Sequence, residues 1–316
     1  MSYDPVQLLR AARSAIQQQD YTAAIDAMQK LVTHDRETNN KALEVIHLGN
    51  LALLQNRLGL SDVALTNLER ALELARAAGD RAAEDGVLGN MGNILRELGD
   101  YDGAERRLNA ALVVAQEIGD TRGRGNWLSV LGLVYNDTGR HEEAMTCHTE
   151  AVSIARQLVD QKGLALRLGQ LGNALLGAGR PQAALAPYQE SLGLYRSLGD
   201  EAALAGQLGV IANLNADLGR TSNKAAQKEA YCFQALAHYR EALKLAQGRG
   251  DTVAEAVQLR GMGAVYGNLG DYDEAVRRFR EAAALFQQMN MIEQAAKLHE
   301  SIQLAERLRS GDFPTT

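Results

Sequence analysis

The stretch "LGNMGNILRELGDYDGA", Leu88 to Ala104, packs four glycines into seventeen residues, the kind of run that can cradle a phosphate. A dinucleotide site needs G-x-G-x-x-G after a buried strand, so that the backbone can approach a pyrophosphate at a helix N-terminus. Gly89 and Gly92 are three apart, Gly99 is seven further on, and no β-branched run precedes them. Leu88, Met91, Leu95 and Leu98 instead recur at helical spacing. His141 and His148 are two turns apart, too far for joint chelation from one helix. His148 reads as a packed or interfacial histidine, and Glu142 and Glu143 as helix-start carboxylates favoured by the dipole. No H-E-x-x-H, P-loop or G-x-S-x-G is present. These side chains point to no catalysis, metal or cofactor, so the elements that carry them become the question.

Sliding the chain along itself gives a period of 40. Gly59, Gly99, Gly139, Gly179 and Gly219 recur at that interval, and Gly270 follows after 51. Asn40, Asp80, Asp120, Asp160, Asp200, Asp251 and Asn290 form a second series. Glycine past a helix end can close its last carbonyls, and Asp or Asn before a helix accepts its first free N–H groups. The two series predict alternating helices and tight turns. Ala24, Ala64, Ala104, Ala144, Ala184, Ala235 and Ala275 share one position in the second helix of each unit. Four residues on come Met28, Leu68, Leu108, His148, Tyr188, Tyr239 and Phe279. In the first helix Ala52, Gly92, Gly132, Gly172, Ala212 and Gly263 align. A mid-helix glycine costs about 1 kcal/mol relative to alanine, so its recurrence implies close helix contact.

With these small and large positions in register, the sequence resembles the tetratricopeptide-repeat (TPR) family. Its 40-residue units, as in "SVLGLVYNDTGRHEEAMTCHTEAVSIARQL", are similar to the long-repeat subclass of Pins/LGN-type adaptors and bacterial relatives. The resemblance implies an all-α fold, a right-handed superhelical solenoid of antiparallel helix pairs. Seven repeats are expected over residues 1–290, a capping helix over 291–310 with Ile292, Ala296, Leu298 and Ile302 apolar, and a flexible tail over 311–316. Residues 221–231, "TSNKAAQKEAY", are an insertion in the sixth repeat, expected to lengthen its second helix. It is either an arm for partner contact or a tolerated insertion. Pro187, inside a predicted helix, is expected to bend it.

The resemblance also assigns a concave groove to the first helices. The inward set is Asn50, Asn56 and Arg57; Asn90, Asn93, Arg96 and Glu97; Asn126, Asn136 and Asp137; Gln170 and Asn173; Asn213 and Asp217; Arg260 and Asn268. Gly49, Gly89, Ser129, Gly169 and Gly209 open room between them. Asparagine is a mediocre helix former, so its repetition on one face asks for another purpose. Its carboxamide can clamp the N–H and C=O groups of a partner backbone, or it can tie neighbouring repeats together. Asn after Leu-Gly has the clamping role in Pins/LGN-like proteins; Asn93 and Asn173 match, Asn213 follows Ala, and Leu133 and Ala264 depart. Arg10, Arg13, Arg57 and Arg96 fall early and Asp137 and Asp217 later, which suits a partner with an acidic and a basic end.

The expected function is that of a non-enzymatic scaffold binding a protein or peptide segment. The alternatives are a regulatory sensor module and a self-assembling structural module. A net charge of −6 argues against nucleic acid. The lack of a signal-like N-terminus or an eighteen-residue apolar run argues against membrane insertion and for a cytoplasmic location. Cys147 and Cys232 read as reduced helix residues, and Trp127 as a buried repeat residue in preference to a binding platform.

Overall fold

The computed structural model describes residues 4–311, so the last five residues of the expected tail lie outside the described residues. The described chain forms fifteen helices. Contacts divide it into two compact units, Met1–Asp160 and Gln161–Thr316. The first unit holds α1 (Pro5–Gln17), α2 (Tyr21–Glu37), α3 (Lys41–Arg57), α4 (Ser61–Ala78), α5 (Arg81–Glu97), α6 (Tyr101–Ile118), α7 (Thr121–Asp137) and α8 (His141–Gln157). The second holds α9 (Gln161–Gly177), α10 (Pro181–Leu198), α11 (Glu201–Thr221), α12 (Ala225–Arg249), α13 (Thr252–Leu269), α14 (Tyr272–Gln288) and α15 (Ile292–Arg309). Within each unit consecutive helices pack as hairpins, α1 with α2 through α7 with α8 and α9 with α10 through α13 with α14.

Helix ends follow the two recurrent series. Asn40, Asp80, Asp120, Asp200 and Asp251 each accept a backbone N–H three residues on, at the starts of α3, α5, α7, α11 and α13. Gly59, Gly99, Gly139, Gly179 and Gly270 take the left-handed conformation at the turns. Two members behave otherwise. Asn290 is itself left-handed (φ 57) and closes α14, whereas α15 starts from Met291 with no side-chain cap. Gly219 lies inside α11, because the insertion moves the turn on to Ser222–Lys224. Both helices of that hairpin grow, α11 to 21 residues and α12 to 25, and not the second alone as the insertion's phase suggested. A β-carbon on Gly219 would lie 2.8 Å from Cys232 Sγ, so this glycine now serves close packing.

Packing accounts for the other small residues. All seven of the second-helix alanines from Ala24 to Ala275 are completely buried. A β-carbon at Gly92, Gly132 or Gly172 would stand 2.5 Å from Leu108, His148 or Tyr188, and one at Gly263 2.6 Å from Phe279. Each large side chain of a second helix therefore rests on first-helix backbone, a contact that offsets the helix cost of glycine. Pro187 lies within α10, and Cys147 and Cys232 are buried free thiols. On α15 the buried residues are Ala295, Leu298, Ile302 and Ala305; Ile292 and Ala296, expected in the apolar set, are exposed.

Of the described non-glycine residues that take the left-handed conformation, one is β-branched. Val159 closes α8 at φ 54, where Gly79, Gly119, Gly199 and Gly250 close the corresponding helices. The left-handed conformation costs a β-branched residue roughly 1–2 kcal/mol, partly offset by the greater unfolded-state freedom of glycine. Val159→Gly is expected to stabilise the first unit by about 1 kcal/mol, read as a rise in the urea midpoint; an unchanged or lower midpoint contradicts the strain.

Candidate functional site

The first helices were expected to bear the working face, and their side chains divide into two groups. One group is spent on the fold. Asn56 Nδ2 on α3 donates to Glu97 Oε2 on α5 at 2.6 Å, and Arg96 on α5 pairs with Asp137 on α7 at 2.8 Å. These bonds run from one repeat to the next. Asn93 donates to Glu97 at 2.9 Å within α5. Asn136 lies 3.3 Å from the buried His148 Nε2 and 3.4 Å from His141 Nδ1. Arg57 stacks over the Tyr21 ring, 4.7 Å from its centroid. Asn126 on α7 and Gln170 on α9 also have partners. Asn56 and Arg96 thus tie successive repeats, whereas Asn93 and Asn136 are engaged within their own helix pair.

The second group keeps donors available. Tyr188 and Tyr239 occupy the large position of α10 and α12, and their hydroxyls donate to Asn173 Oδ1 at 2.5 Å and Asn213 Oδ1 at 2.6 Å. Burial pushes both phenols up, Tyr239 to about 12 with Asp217 adding to the rise, so each keeps its proton and its donor role. The carboxamide oxygen is thus held from beneath, and the exposed NH2 group keeps its two N–H donors for an incoming acceptor. Asn50 is exposed on α3 and Asn90 half-buried on α5, and neither side chain has a hydrogen bond among the described residues.

In the second unit four expected residues come together. Asn213 and Asp217 from α11 and Arg260 and Asn268 from α13 line a concavity of about 820 Å³, with α15 completing its wall. Tyr239 and Phe279 form part of its floor, and Ala264, a departure from the Asn pattern, opens space in it. Arg220 and Lys297 also line it. Arg220 pairs with Asp217 at 3.2 Å and Lys297 with Glu293 at 2.7 Å, whereas Arg260 makes no ion pair among the described residues and leaves its positive charge unmatched on the concavity. The contribution of α15 had escaped the sequence reading, which saw only a cap. Gln294, Lys297 and Ser301, spaced three and four apart, were the available sign of a polar inner face.

In the first unit, Asn50 opens into a separate cavity of about 560 Å³ between α1 and α3. Trp127 lies half-buried over Gly89, whose added β-carbon would meet the indole at once, and its Nε1 donates to Asp85 Oδ1 at 2.8 Å. No three His, Cys, Asp or Glu side chains converge on one point among the described residues. No described helix is long and apolar enough to cross a membrane.

Sequence comparison supplies the family. A model described as "Tetratricopeptide repeat" matches residues 85–157, 125–197 and 232–288, more than half of the chain. The chain belongs to the tetratricopeptide-repeat family. A second model, "Anaphase-promoting complex subunit 5", matches residues 10–85. No curated protein matches by sequence.

Among solved structures, this TPR chain is similar to BtubC from P. vanneervenii, with 22% identity and a TM-score of 0.59 over 72% of this chain and 91% of the other. It is also similar to the apo quorum sensor NprR from B. thuringiensis, with 17% identity and a TM-score of 0.60 over 96% and 89%. A Rap protein complexed with competence and sporulation factor shares 13% identity, with a TM-score of 0.58 over 99% and 89%. At these identities the likeness is one of fold.

Proposed function

We propose that this TPR chain is a non-catalytic interaction scaffold that holds an extended or helical segment of a partner protein against its first helices. The observation that carries the reading is the concavity of the second unit, where Asn213, Arg260 and Asn268 converge and a tyrosine fixes Asn213 with its N–H donors outward. Such donors bind backbone carbonyls whatever the partner sequence, and Arg260 adds a preference for carboxylates. Asn173, held by Tyr188 in the same way, extends the set of donors within that unit. In the first unit Asn50 and Asn90 are the remaining groove positions with free carboxamides. The Rap protein complexed with a factor, and the description of NprR as a quorum sensor, support a regulatory use of such binding as a second reading.

The test is affinity capture from native lysate with mass spectrometry, comparing wild type with Asn173→Ala/Asn213→Ala and with Arg260→Ala. Each lost amide hydrogen bond is worth about 0.5–1.5 kcal/mol, so the double variant is expected to bind its partner about tenfold more weakly with unchanged helicity. Partners retained at full strength by every variant would remove the groove from consideration.

A further inference from the structure

The cavity of the first unit differs in kind from that of the second. α1 presents two faces. Ala12 and Ala15 are buried, while Val6, Leu9 and Ile16 are 54%, 43% and 40% exposed along the side that lines the cavity. Across from them on α3 stands Leu53, 44% exposed. Its repeat position is asparagine at Asn93, Asn173 and Asn213, so the amide position has become apolar here. Four large, partly exposed apolar residues converging on a cavity of about 560 Å³ are an uncovered surface of the kind that marks interaction sites.

Charge says what covers it. Arg10 and Arg13 lie on the same face of α1, one turn apart, and line the same cavity. Neither makes an ion pair among the described residues, although the chain carries a net charge of −6. The adjacent Asn50 also keeps its carboxamide unbonded. An occupant must therefore bring large apolar side chains and, about a helical turn apart, carboxylates. A lipid surface would satisfy the arginines but is flat, whereas the apolar residues line a cleft between two helices.

We infer that the cleft between α1 and α3 is a docking site for an amphipathic helical segment of a partner protein, its apolar face flanked by acidic residues. The inference rests on the first helices as the binding face, but it names a separate pocket whose loss is distinguishable from loss of the second unit's concavity.

The experiment pans a phage-displayed library of random peptides on the full chain and measures the recovered peptides by fluorescence anisotropy. The expected peptides combine Leu, Ile or Phe with Asp or Glu, and they weaken at least about tenfold on Arg10→Glu/Arg13→Glu and on Leu53→Asn. They bind Asn213→Ala/Arg260→Ala as they bind wild type. Arg10→Gln/Arg13→Gln, which removes charge without reversing it, is expected to fall between. Four results overturn the inference: peptides without acidic residues, affinities indifferent to the α1 and α3 variants, self-association abolished by Leu53→Asn, or capture of phosphatidylserine vesicles abolished by Arg10→Glu/Arg13→Glu. Loss confined to Asn213→Ala/Arg260→Ala leaves the scaffold reading standing and overturns this site alone.

Discussion

Replacing His148 by leucine is expected to remove about 3 kcal/mol of acid sensitivity from the first unit. The imidazole is completely buried on α8, against the backbone of Gly132, and its Nδ1 has no hydrogen-bond partner. Burial lowers its pKa from 6.5 to about 4, with the Gly132 backbone opposing the shift. Between those two values the unfolded chain binds a proton that the folded protein refuses. Stability therefore falls as the pH is lowered from 6.5 to 4 and is fully retained above 6.5. A shift of this size corresponds to about 3 kcal/mol. Leucine is the residue at the same position in two other repeats, Leu68 and Leu108, both fully buried. Urea unfolding followed by Trp127, the sole tryptophan, reads this unit. The difference in stability between His148→Leu and wild type should grow by about 3 kcal/mol in favour of the variant between pH 7.5 and pH 4. Parallel pH curves would show that His148 titrates normally.

The histidine's burial was legible because it fills a recurrent large position. The period of 40, the capping residues and the glycine-on-large-residue contacts were legible for the same reason, since repetition multiplies a weak local signal. Where the period broke, local chemistry was ambiguous. Gly219 has the spacing of a turn glycine, yet the inserted residues supply enough helix on both sides to carry α11 past it. Asn290 has the spacing of an N-cap, but asparagine also tolerates the left-handed conformation, and it closes α14 instead. Both assignments turn on one φ angle that residue type alone leaves open.

The candidate site was less legible, because a polar residue on an inner helix face can turn to a ligand or to the next repeat. Asn56 with Glu97 and Arg96 with Asp137 are both separated by 41 residues, one more than the period. That offset places complementary groups at the ends of successive first helices and was a readable sign of ties between repeats. The pairing of Tyr188 with Asn173 and of Tyr239 with Asn213 was readable too, since the same two positions recur in two repeats. Committed and available carboxamides differ only in these pairings and not in any single position.

The same logic of pairs leads to Asp85, where substitution by asparagine is expected to stabilise the first unit by about 3 kcal/mol above pH 6 and by little near pH 4. Its side chain is buried on α5, accepts from Trp127 Nε1, and faces the Asp120 carboxylate at the start of α7. The approach of the two acids is visible at Gly123, where an added β-carbon would lie 2.5 Å from Asp120 Oδ2 and 2.7 Å from Asp85 Oδ2. Burial raises the pKa of Asp85 from 3.8 to about 6, with the Asp120 charge adding to the rise and the indole N–H opposing it. Here the folded protein binds the proton more tightly than the unfolded chain. The contribution is fully present below pH 3.8 and is lost as the pH rises to 6, opposite in sign to that of His148. Asparagine keeps an oxygen for the indole and offers an N–H to Asp120 without a buried charge. Trp127 provides a direct readout: wild-type fluorescence should titrate with a midpoint near pH 6, and Asp85→Asn should abolish the step. Because the two groups oppose each other between pH 4 and 6, wild type conceals both slopes. Asp85→Asn should leave a unit destabilised by acid through His148, whereas His148→Leu should leave one in which acid relieves the buried Asp85 charge. Equal pH dependence in both variants would mean that neither buried group governs the unit.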